Sequence, residues 1–574
     1  MRTNKYILLF VCFKICVVVF ACECFINDVS YSSTNPRVII SVNAKTNIGS
    51  LPHIWNGFMG NACLTITPDG EKLLSRVVKT SQFPYLRRVW GLTRTDAGNF
   101  ESYGSTNVYN EDDEGNPFYD YTLIDQIYDV LISKDIIPMP CIGFMPRSLT
   151  TAPDSRPGAR RRDFYSSMDF ERYPPKDYEK WYTLVYNIVK HCIDRYGRKS
   201  VAQWKWELWN EPDIRNYWRG TEEEFIKMYD YTAAAVKDAF PEAQVGGNAV
   251  THNKTRGTPF LIKFIKHCLH ETNYRDPSIK GAPLDFITFH LKGGNIDFQK
   301  VGNFTSGIIP YKGDKFSPSL QFILTRAREN LQEISAVEGS ENIPIYITEC
   351  DIDIGLTIAV YENPVVRYRN TEYHAAFQCA LAKEMLEVRK EFPKHPIERL
   401  IIDGFFYPGR RIFEGQRALF TAGGIDKPVF NAFRVLGKLG TERLEFKRSS
   451  DENIDGIAAR SKDNSVQIMV YNYQEDVEYK DEKEIELSVN LPDSKYYKLK
   501  HYRIDQEHSN AYTVWSSMGK PVTPDDNQMK IIKARMGLEL YEPERKISPE
   551  NGKYTTSFNL PHHSVSLLVF EPME

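Results

Sequence analysis

Eight short apolar runs, each followed by a stretch of helical periodicity, constrain the fold of this chain more than any other feature. The apolar runs are Ile54–Phe58, Phe83–Val89, Ile137–Ile142, Trp204–Trp209, Gln244–Gly247, Phe286–His290, Ile345–Glu349 and Leu400–Phe406. The helical stretches that follow them are Gly70–Lys79, Tyr121–Ser133, Asp177–Tyr196, Thr221–Phe240, Pro259–Thr272, Pro318–Val337, Tyr373–Glu391 and Val429–Leu439. An eightfold alternation of strand and helix predicts an α/β fold of the (β/α)8 TIM barrel type rather than a doubly wound sheet.

Two of the predicted helices begin with recognisable signals. Thr221 and Glu224 have the spacing of a capping box at the start of the fourth helix. Pro318 is predicted in the first turn of the sixth helix, where the missing N–H of proline costs nothing.

The pattern changes after Leu439, where short strand-like runs alternate with turns rich in Asp, Asn, Lys and Pro. The runs are Ile457–Ala459, Val466–Tyr471, Ile485–Val489, Tyr497–Ile504 and Val565–Phe570. Only Gln528–Arg535 has helical character in this part of the chain. We therefore predict a barrel over 36–440 and an all-β sandwich domain over 441–574, with Val38–Val42 as a candidate extra strand of the sandwich.

The first two dozen residues predict export. Arg2 and Lys5 precede an apolar run from Tyr6 to Phe20, which is too short for a membrane span of roughly 20 residues. Residues 1–24 are thus predicted to be a signal peptide. Residues 19–22 also resemble a lipobox, which leaves open an acylated Cys22 and a lipid-anchored protein beside a periplasmic or extracellular one. No later segment is apolar enough to span a bilayer.

Composition limits the partners. A formal net charge of −3 gives no electrostatic reason to expect nucleic acid. The 33 Tyr, 32 Phe and 8 Trp suit a site that stacks on sugar rings, although a large core would also use them. Six cysteines follow the first 24 residues, and none forms a CxxC pair, so buried thiols are favoured over a zinc cluster or a dense disulfide framework.

Two of the apolar runs end in a glutamate just before the chain turns. The fourth run continues into Asn210-Glu211-Pro212, and the seventh ends at Glu349. Active sites of TIM barrels lie at the C-terminal ends of the strands. Glycoside hydrolysis needs two carboxyl groups beside the anomeric carbon, one to protonate the leaving oxygen and one to attack or to activate water. The pattern predicts Glu211 and Glu349 as this pair.

The neighbours of Glu211 suit a general acid. Pro212 ends the strand and fixes the direction of the glutamate. Trp206 and Trp209 supply apolar surroundings that raise a carboxyl pKa. Asn210 can donate a hydrogen bond to the 2-hydroxyl of a sugar, an interaction that strengthens in the transition state.

These motifs resemble glycoside hydrolase family 39, which contains β-D-xylosidases and α-L-iduronidases. The segments that carry the resemblance are Gly143–Arg147, Trp209–Asp213, Asp285–His290, Tyr346–Glu349, Lys427–Phe433 and Tyr502–Tyr512. Together they cover most of the chain and are far more specific than Asn-Glu-Pro alone. The resemblance implies a retaining enzyme whose catalytic glutamates lie on strands four and seven.

Residue by residue, the resemblance implies that Glu211 is the proton donor and Glu349 the nucleophile. It implies Asn210 as the contact of the 2-hydroxyl and His290 as a polar wall residue near the nucleophile. We expect the two carboxyl groups to lie about 5–5.5 Å apart, the separation of retaining enzymes. We expect no metal or organic cofactor, and the expected partner is a carbohydrate. The sequence makes no prediction of oligomeric state.

One departure from the family pattern lies on strand two. Family members usually show Arg-x-His there, and the histidine contacts substrate hydroxyls. This chain reads Arg87-Arg88-Val89-Trp90, so Trp90 or Val89 takes the place of the histidine. A stacking or steric surface would then replace a hydrogen bond.

Three charged residues leave two substrate classes possible, a uronide and a neutral pentoside. Lys292, after His290, resembles the iduronidase version of strand six, and Asp403 and Arg417 are spaced as in the iduronidases. A uronate carboxylate in a buried pocket needs such cations. The strand-three motif and the residues after Asp213 resemble xylosidases instead. We predict an exo-acting β-xylosidase-like enzyme, with a uronide hydrolase or another pentosidase as the alternative.

Two other functions stay open. An endo-acting glycanase of the same clan would need an open cleft, whereas the long predicted loops after strands two, three and six suggest a walled pocket. A non-catalytic carbohydrate-binding protein is the alternative from another class, although both carboxylates are present.

Overall fold

The computed structural model describes residues 37–61, 65–81, 84–90, 106, 108–153, 170–293, 318–355, 359–361, 364–405, 411–492 and 494–573. The backbone of Arg87 and Trp90 is described, but their side chains are not. The predicted signal peptide, with Cys22, lies outside the described residues.

Eight parallel strands close into a barrel. They are β1 Gly57–Asn61, β2 Leu86–Trp90, β3 Ile137–Ile142, β4 Lys205–Leu208, β5 Gln244–Val250, β6 Phe286–Lys292, β7 Ile345–Asp351 and β8, which has two parts, Ile397–Leu400 and Ile402–Asp403. Each strand pairs with the next along the chain. The first part of β8 pairs with β7 and the second part pairs with β1, which closes the ring. The predicted TIM barrel is confirmed.

A helix follows each barrel strand, close to the predicted position. The helices are α1 Pro68–Val78, α2 Thr122–Ile132, α3 Tyr178–Tyr196, α4 Glu222–Ala239, α5 Gly257–His270, α6 Leu320–Ser335, α7 Glu372–Glu391 and α8 Pro428–Gly437. The capping box of Thr221 and Glu224 is present. The prediction for Pro318 is wrong: α6 begins at Leu320, because the Ser319 hydroxyl accepts a hydrogen bond from Phe322 N at 3.1 Å and caps the helix after the proline.

The C-terminal part forms a second sheet of nine strands. Its chain-ordered members are the N-terminal strand Val38–Ser50, β9 Glu442–Arg448, β10 Ile454–Arg460, β11 Val466–Asn472, β12 Glu482–Asn490, β13 Tyr496–Ile504, β14 Glu539–Ile547, β15 Lys553–Pro561 and β16 Ser564–Met573. The spatial order is β14-β13-β16-β11-β10-β9-N-terminal strand-β12-β15. The N-terminal strand pairs antiparallel with β9 and parallel with β12, so both ends of the described chain lie in this sheet.

Sequence periodicity missed three strands and one helix of this domain. Strands β9 and β14 are rich in charged residues, β15 is mostly polar with one charged residue, Lys553, and all three carry exposed side chains. β9 and β14 therefore show little of the apolar alternation that marks a strand with one buried face, whereas in β15 Tyr554, Phe558 and Leu560 alternate with polar residues and form no continuous apolar run. The predicted helix is α10 Asp526–Ala534, and a further short helix, α9 Ala511–Ser517, precedes it.

The sheet packs on the barrel through strands that are buried on both faces. In β11, Val466, Ile468 and Val470 face the core of the sandwich domain. Met469 and Tyr471, on the other face, belong to the apolar core that includes the barrel helices. Helix α7 contacts β10, β11 and β16 at this interface. The two domains thus share one apolar contact layer.

The remaining sequence expectations concern cysteines and membrane spans. Cys192, Cys268, Cys350 and Cys379 are buried thiols, as expected, whereas Cys63 lies outside the described residues. Within the described ranges, no helix combines the length and apolar character that a membrane span requires.

The contact between β5 and β6 generates a stability prediction. A Cβ atom added at Gly246 would lie 2.2 Å from the carbonyl oxygen of Phe286, and backbone atoms in a closed barrel cannot move away. We expect Gly246→Ala to lower the free energy of unfolding by on the order of 3 kcal/mol in a denaturant titration. Gly537→Ala is the control, because no described atom lies within 4 Å of its added Cβ. Equal stability of the two variants would contradict this packing.

Candidate active site

The predicted site residues converge at the C-terminal end of the barrel. Glu211 lies in the turn that follows β4, and Glu349 lies near the end of β7. His290 and Lys292 lie at the end of β6. Asp403 is the last residue of β8, and Arg417 lies in the connection between β8 and α8.

The turn after β4 holds Glu211 in an unusual backbone conformation. Trp209 and Glu211 have φ values of 67° and 46°, which non-glycine residues rarely adopt. Glu211 N donates to Ala249 O at 3.0 Å, and Trp209 N donates to Ile142 O at 2.9 Å. These bonds to β5 and β3 fix the turn, so the Glu211 carboxyl is presented from a rigid backbone.

Arg88, which sequence analysis did not select, connects the two glutamates' strands. Its guanidinium forms a buried ion pair with Glu207 in β4. Its Nη1 donates to Asn210 Oδ1 at 2.9 Å and to Glu349 Oε1 at 3.1 Å. Both members of the ion pair are fully buried, and Glu207 also accepts a hydrogen bond from the Thr348 hydroxyl at 2.9 Å. Arg88 therefore orients Asn210 and Glu349 together.

A signal for Arg88 and Glu207 exists in the sequence. Each is a charged residue inside an apolar barrel strand, and burying such a group is costly unless it is paired. The charges lie on different strands, however, and only the closed barrel shows that they are partners.

The two predicted catalytic carboxyls face one another with His290 beside them. One carboxyl oxygen of Glu211 and one of Glu349 lie within 4.8 Å. His290 Nδ1 lies 2.9 Å from Glu211 Oε1 and 3.7 Å from Glu349 Oε2. The imidazole was expected near the nucleophile; it lies closer to Glu211.

The electrostatic surroundings of the two carboxyls differ. Burial, and then the negative charge of Glu349, raises the pKa of Glu211 to about 8. Burial alone would also raise the pKa of Glu349, but the adjacent cationic side chains outweigh it and hold that pKa below its usual range. Burial lowers the pKa of His290 to about 4, which leaves the ring neutral near pH 7. At that pH the arrangement offers one protonated and one ionised carboxyl group.

The ammonium group of Lys292 is surrounded by carboxylates. Its buried ammonium donates to Glu349 Oε2 and to Asp351 Oδ2, and it lies 3.9 Å from Asp403 Oδ2. Lys292 was predicted as a candidate cation for a uronate carboxylate; the structure places it on Glu349 and on Asp351, a partner that sequence analysis missed.

Arg417 completes this charged cluster. Its Nη2 lies 3.0 Å from Asp403 Oδ2 and 3.3 Å from Asp351 Oδ2, and its Nη1 donates to the backbone carbonyl of Asp353. Burial, and then the charge of Glu349, raises the pKa of Asp403 to about 6. Lys292 therefore forms one patch beside Glu349 with Asp403 and Arg417, which lie more than 100 residues after it in the sequence.

The prediction for strand two falls partly outside the described side chains. The backbone of Trp90 pairs with Asn61 at the end of β2, but its side chain is not described. Val89 is fully buried in the apolar core. Because Arg88 faces the barrel interior, Val89 points to the opposite face and does not replace the family's histidine in the pocket.

Among the described residues, two groups of side chains have ligand atoms close enough for a metal ion. One is Glu211, His290 and Glu349, and the other is the triad of Glu349, Asp351 and Asp403. In the triad, the Lys292 ammonium already bridges Glu349 and Asp351. In the other group, the raised pKa of Glu211 favours a protonated carboxyl, which is a poor metal ligand. The residues present thus suit proton transfer and nucleophilic attack better than metal binding.

Comparisons with known proteins agree with this geometry. The family model for glycosyl hydrolases family 39 matches residues 38–546. A β-xylosidase of Geobacillus stearothermophilus is 26% identical over 526 residues, covering 90% of this chain and 92% of that protein. An α-L-iduronidase of Mus musculus is 26% identical over 177 residues, covering 30% of this chain and 25% of that protein.

The fold is also shared with a solved structure. The crystal structure of a monomeric β-xylosidase from Caulobacter crescentus CB15 has a TM-score of 0.74 and 22% sequence identity, and the match covers 94% of this chain and 100% of that one. The family match extends over both domains and includes the turn after β4 and the end of β7. The chain therefore belongs to glycosyl hydrolases family 39 and is a glycoside hydrolase.

Proposed function

We propose that the protein is a retaining, exo-acting O-glycosidase that removes terminal neutral pentosyl units of the β-xyloside type. The observation that carries the proposal is the pair of opposed carboxyls. Oxygens of Glu211 and Glu349 lie within 4.8 Å, and their pKa values are shifted in opposite directions. Such a pair suits double displacement, because an inverting enzyme needs a wider gap to admit water, roughly 6.5–9.5 Å between the carboxyls.

In the first step, the ionised Glu349 attacks the anomeric carbon while protonated Glu211 gives its proton to the leaving oxygen. The bond from carbon to the leaving group breaks as the bond to Glu349 forms, and the alcohol departs. Arg88 favours the ionised form of Glu349 before attack. In the second step, water attacks the anomeric carbon while Glu211 takes its proton. The bond between that carbon and Glu349 breaks, which releases the sugar and leaves Glu349 ionised and Glu211 protonated again.

Arg88 also prepares the sugar contact. Because its Nη1 donates to Asn210 Oδ1, the amide NH2 of Asn210 is turned away from Arg88. This orientation supports a hydrogen bond from that amide to the substrate 2-hydroxyl. The bond strengthens as positive charge develops on the sugar ring.

The charge balance favours a neutral sugar. Lys292 donates to two carboxylates, and Arg417 contacts three acidic residues, so both cations already have anionic partners. A uronate would have to displace those partners from buried positions at considerable cost. The β-xylosidase of Geobacillus stearothermophilus is also related over most of its length, whereas the mouse α-L-iduronidase is related over a quarter.

A uronide hydrolase is the second candidate, because Lys292, Asp403 and Arg417 form one patch beside the nucleophile. Asp403, whose pKa is about 6, can be protonated when a second carboxylate enters. A patch that can rearrange its protons in this way is compatible with a uronate.

A panel of aryl glycosides tests the substrate. We expect the wild type to hydrolyse the xyloside with a higher kcat/KM than the iduronide or glucuronide, and to release only monosaccharide from xylo-oligosaccharides. Lys292→Met should lower kcat/KM on both classes, since Lys292 contacts the nucleophile. We therefore compare the ratio of kcat/KM for the uronide to kcat/KM for the xyloside between the variant and the wild type, because a loss common to both substrates cancels in this ratio. A tenfold or larger fall in this ratio, about 1.4 kcal/mol, would establish uronate binding and overturn our ranking.

Separate substitutions distinguish the two carboxyls. Glu349→Ala should abolish turnover of all substrates, because no glycosyl–enzyme can form. Glu211→Ala should retain the first step on activated phenols, which need little protonation, and added azide should restore turnover by trapping the intermediate. The expected product is a glycosyl azide of retained configuration, identified by proton NMR. Equal losses on activated and unactivated substrates in Glu211→Ala would contradict the assignment.

The pH profile follows from the two pKa shifts. Glu211 must be protonated and Glu349 ionised, so kcat/KM should hold through neutral pH and fall as pH rises through about 8. The acidic limb should lie below the ordinary glutamate value of about 4.3, because the pKa of Glu349 is lowered. An activated aryl substrate should show a weaker basic limb. A basic limb near pH 5 would contradict the role given to Glu211.

A further inference from the structure

We propose that the sandwich domain positions Arg417 in the active site, with Tyr512 and Trp515 of helix α9 as the positioning residues. The inference rests on the proposed function in one respect, namely that the terminal sugar binds beside Glu349, next to the patch that contains Arg417. The connection is made through residues 411–419, the segment between β8 and α8, which we call the Arg417 loop.

The barrel holds the backbone of the Arg417 loop from one side. Three of its carbonyl oxygens accept hydrogen bonds from buried side chains of the barrel. The pairs are Asn370 Nδ2 with Phe413 O at 2.9 Å, Arg369 Nη1 with Gly415 O at 3.1 Å and Lys427 Nζ with Gln416 O at 2.8 Å. These bonds fix the positions of the three carbonyl groups, but they do not hold the side chain of Phe413.

The sandwich domain holds that side chain. Phe413 is 2% exposed, and its ring centroid lies 5.4 Å from that of Tyr512 and 5.2 Å from that of Trp515. The Trp515 indole is itself oriented, because its Nε1 donates to Pro521 O at 3.0 Å. Phe413 has a φ of 50°, which is unfavourable for a non-glycine residue and persists only when the surroundings hold it. Its backbone is held by hydrogen bonds, from Phe413 N to Thr421 Oγ1 at 2.5 Å and from Asn370 Nδ2 to Phe413 O, whereas the two aromatic rings hold its side chain.

Helix α9 is in turn attached to the barrel. Asn510 caps the helix by accepting from Thr513 N at 3.3 Å, and its Nδ2 donates to Glu372 Oε2 of α7 at 2.9 Å. Asn431 Nδ2 in α8 donates to Ser509 O at 2.8 Å. Tyr512 and Trp515 therefore pack against the Arg417 loop from a helix whose N-terminus is hydrogen-bonded to the barrel helices.

Because Phe413 and Arg417 are close along the chain, the packing of Phe413 affects the position of Arg417 in the active site. Arg417 lies four residues after Phe413, and its guanidinium contacts Asp351 and Asp403 in the charged patch. Loosening Phe413 should let this guanidinium move within the patch. Glu211 and Glu349 are held by the turn after β4 and by the end of β7, and Arg417 is linked to Glu349 indirectly, through Asp351 and Lys292. The effect should therefore fall on substrate affinity more than on the chemical step.

The test uses the full-length protein with Trp515→Ala, Trp515→Phe and Tyr554→Ala. Tyr554 is the matched control, a half-buried aromatic that packs on Phe570 in the sandwich core, far along the chain from the loop. We expect Trp515→Ala to raise KM for an aryl pentoside by about three- to tenfold, with kcat within about twofold of wild type. Trp515→Phe should restore most of the affinity, and Tyr554→Ala should leave KM near the wild-type value.

Hydrogen exchange supplies a second measurement that does not require turnover. Amides of residues 411–419 should exchange faster in Trp515→Ala than in wild type, and as slowly as wild type in Tyr554→Ala. If no glycoside is turned over by the wild type, the proposed function fails, yet the exchange data still test the positioning role. Unchanged exchange and unchanged KM in folded Trp515→Ala, or equal effects in Tyr554→Ala, would overturn the inference.

Discussion

The ion pair between Arg88 and Glu207 lies in the barrel interior, where neither charge has access to water. A charge in such a place is tolerated only with a partner and further hydrogen bonds, and Arg88 finds these on Asn210 and Glu349. The ends of β2, β4 and β7 are thereby joined through one guanidinium. The positions of the sugar contact and of the nucleophile both follow from it, and Arg88 joins Lys292 in lowering the pKa of Glu349.

The charged groups around Glu211 differ from those around Glu349. Glu211 lies beside the neutral imidazole of His290 and opposite the Glu349 carboxylate, and its burial and that negative charge outweigh the cations of Lys292 and Arg88, so its protonated form is favoured. Glu349 faces Arg88 and Lys292, which favour its ionised form. Chemically identical side chains thus take complementary roles because desolvation dominates for one and paired cations dominate for the other.

The second domain has a place in this arrangement. Its sheet shares an apolar layer with α7, and helix α9 reaches the segment that carries Arg417. The sandwich is therefore continuous with the wall of the pocket rather than a separate module on a linker. The β8 to α8 connection receives backbone hydrogen bonds from the barrel and aromatic contacts from the sandwich, so each domain fixes a different part of it.

The sequence by itself determined the barrel, its eight strands and helices, and the two strand-end glutamates. Apolar periodicity reports local burial, and Glu211 and Glu349 stand out because each ends such a run. Strands β9 and β14, which are rich in charged residues, and β15, which is mostly polar, escaped detection because they contain no continuous apolar run. Only the tertiary structure decided that Arg88 serves Glu207, Asn210 and Glu349, and that Phe413 meets helix α9. These contacts join residues about 100 or more positions apart, and local sequence pattern carries no information about which distant side chains the folded chain brings together.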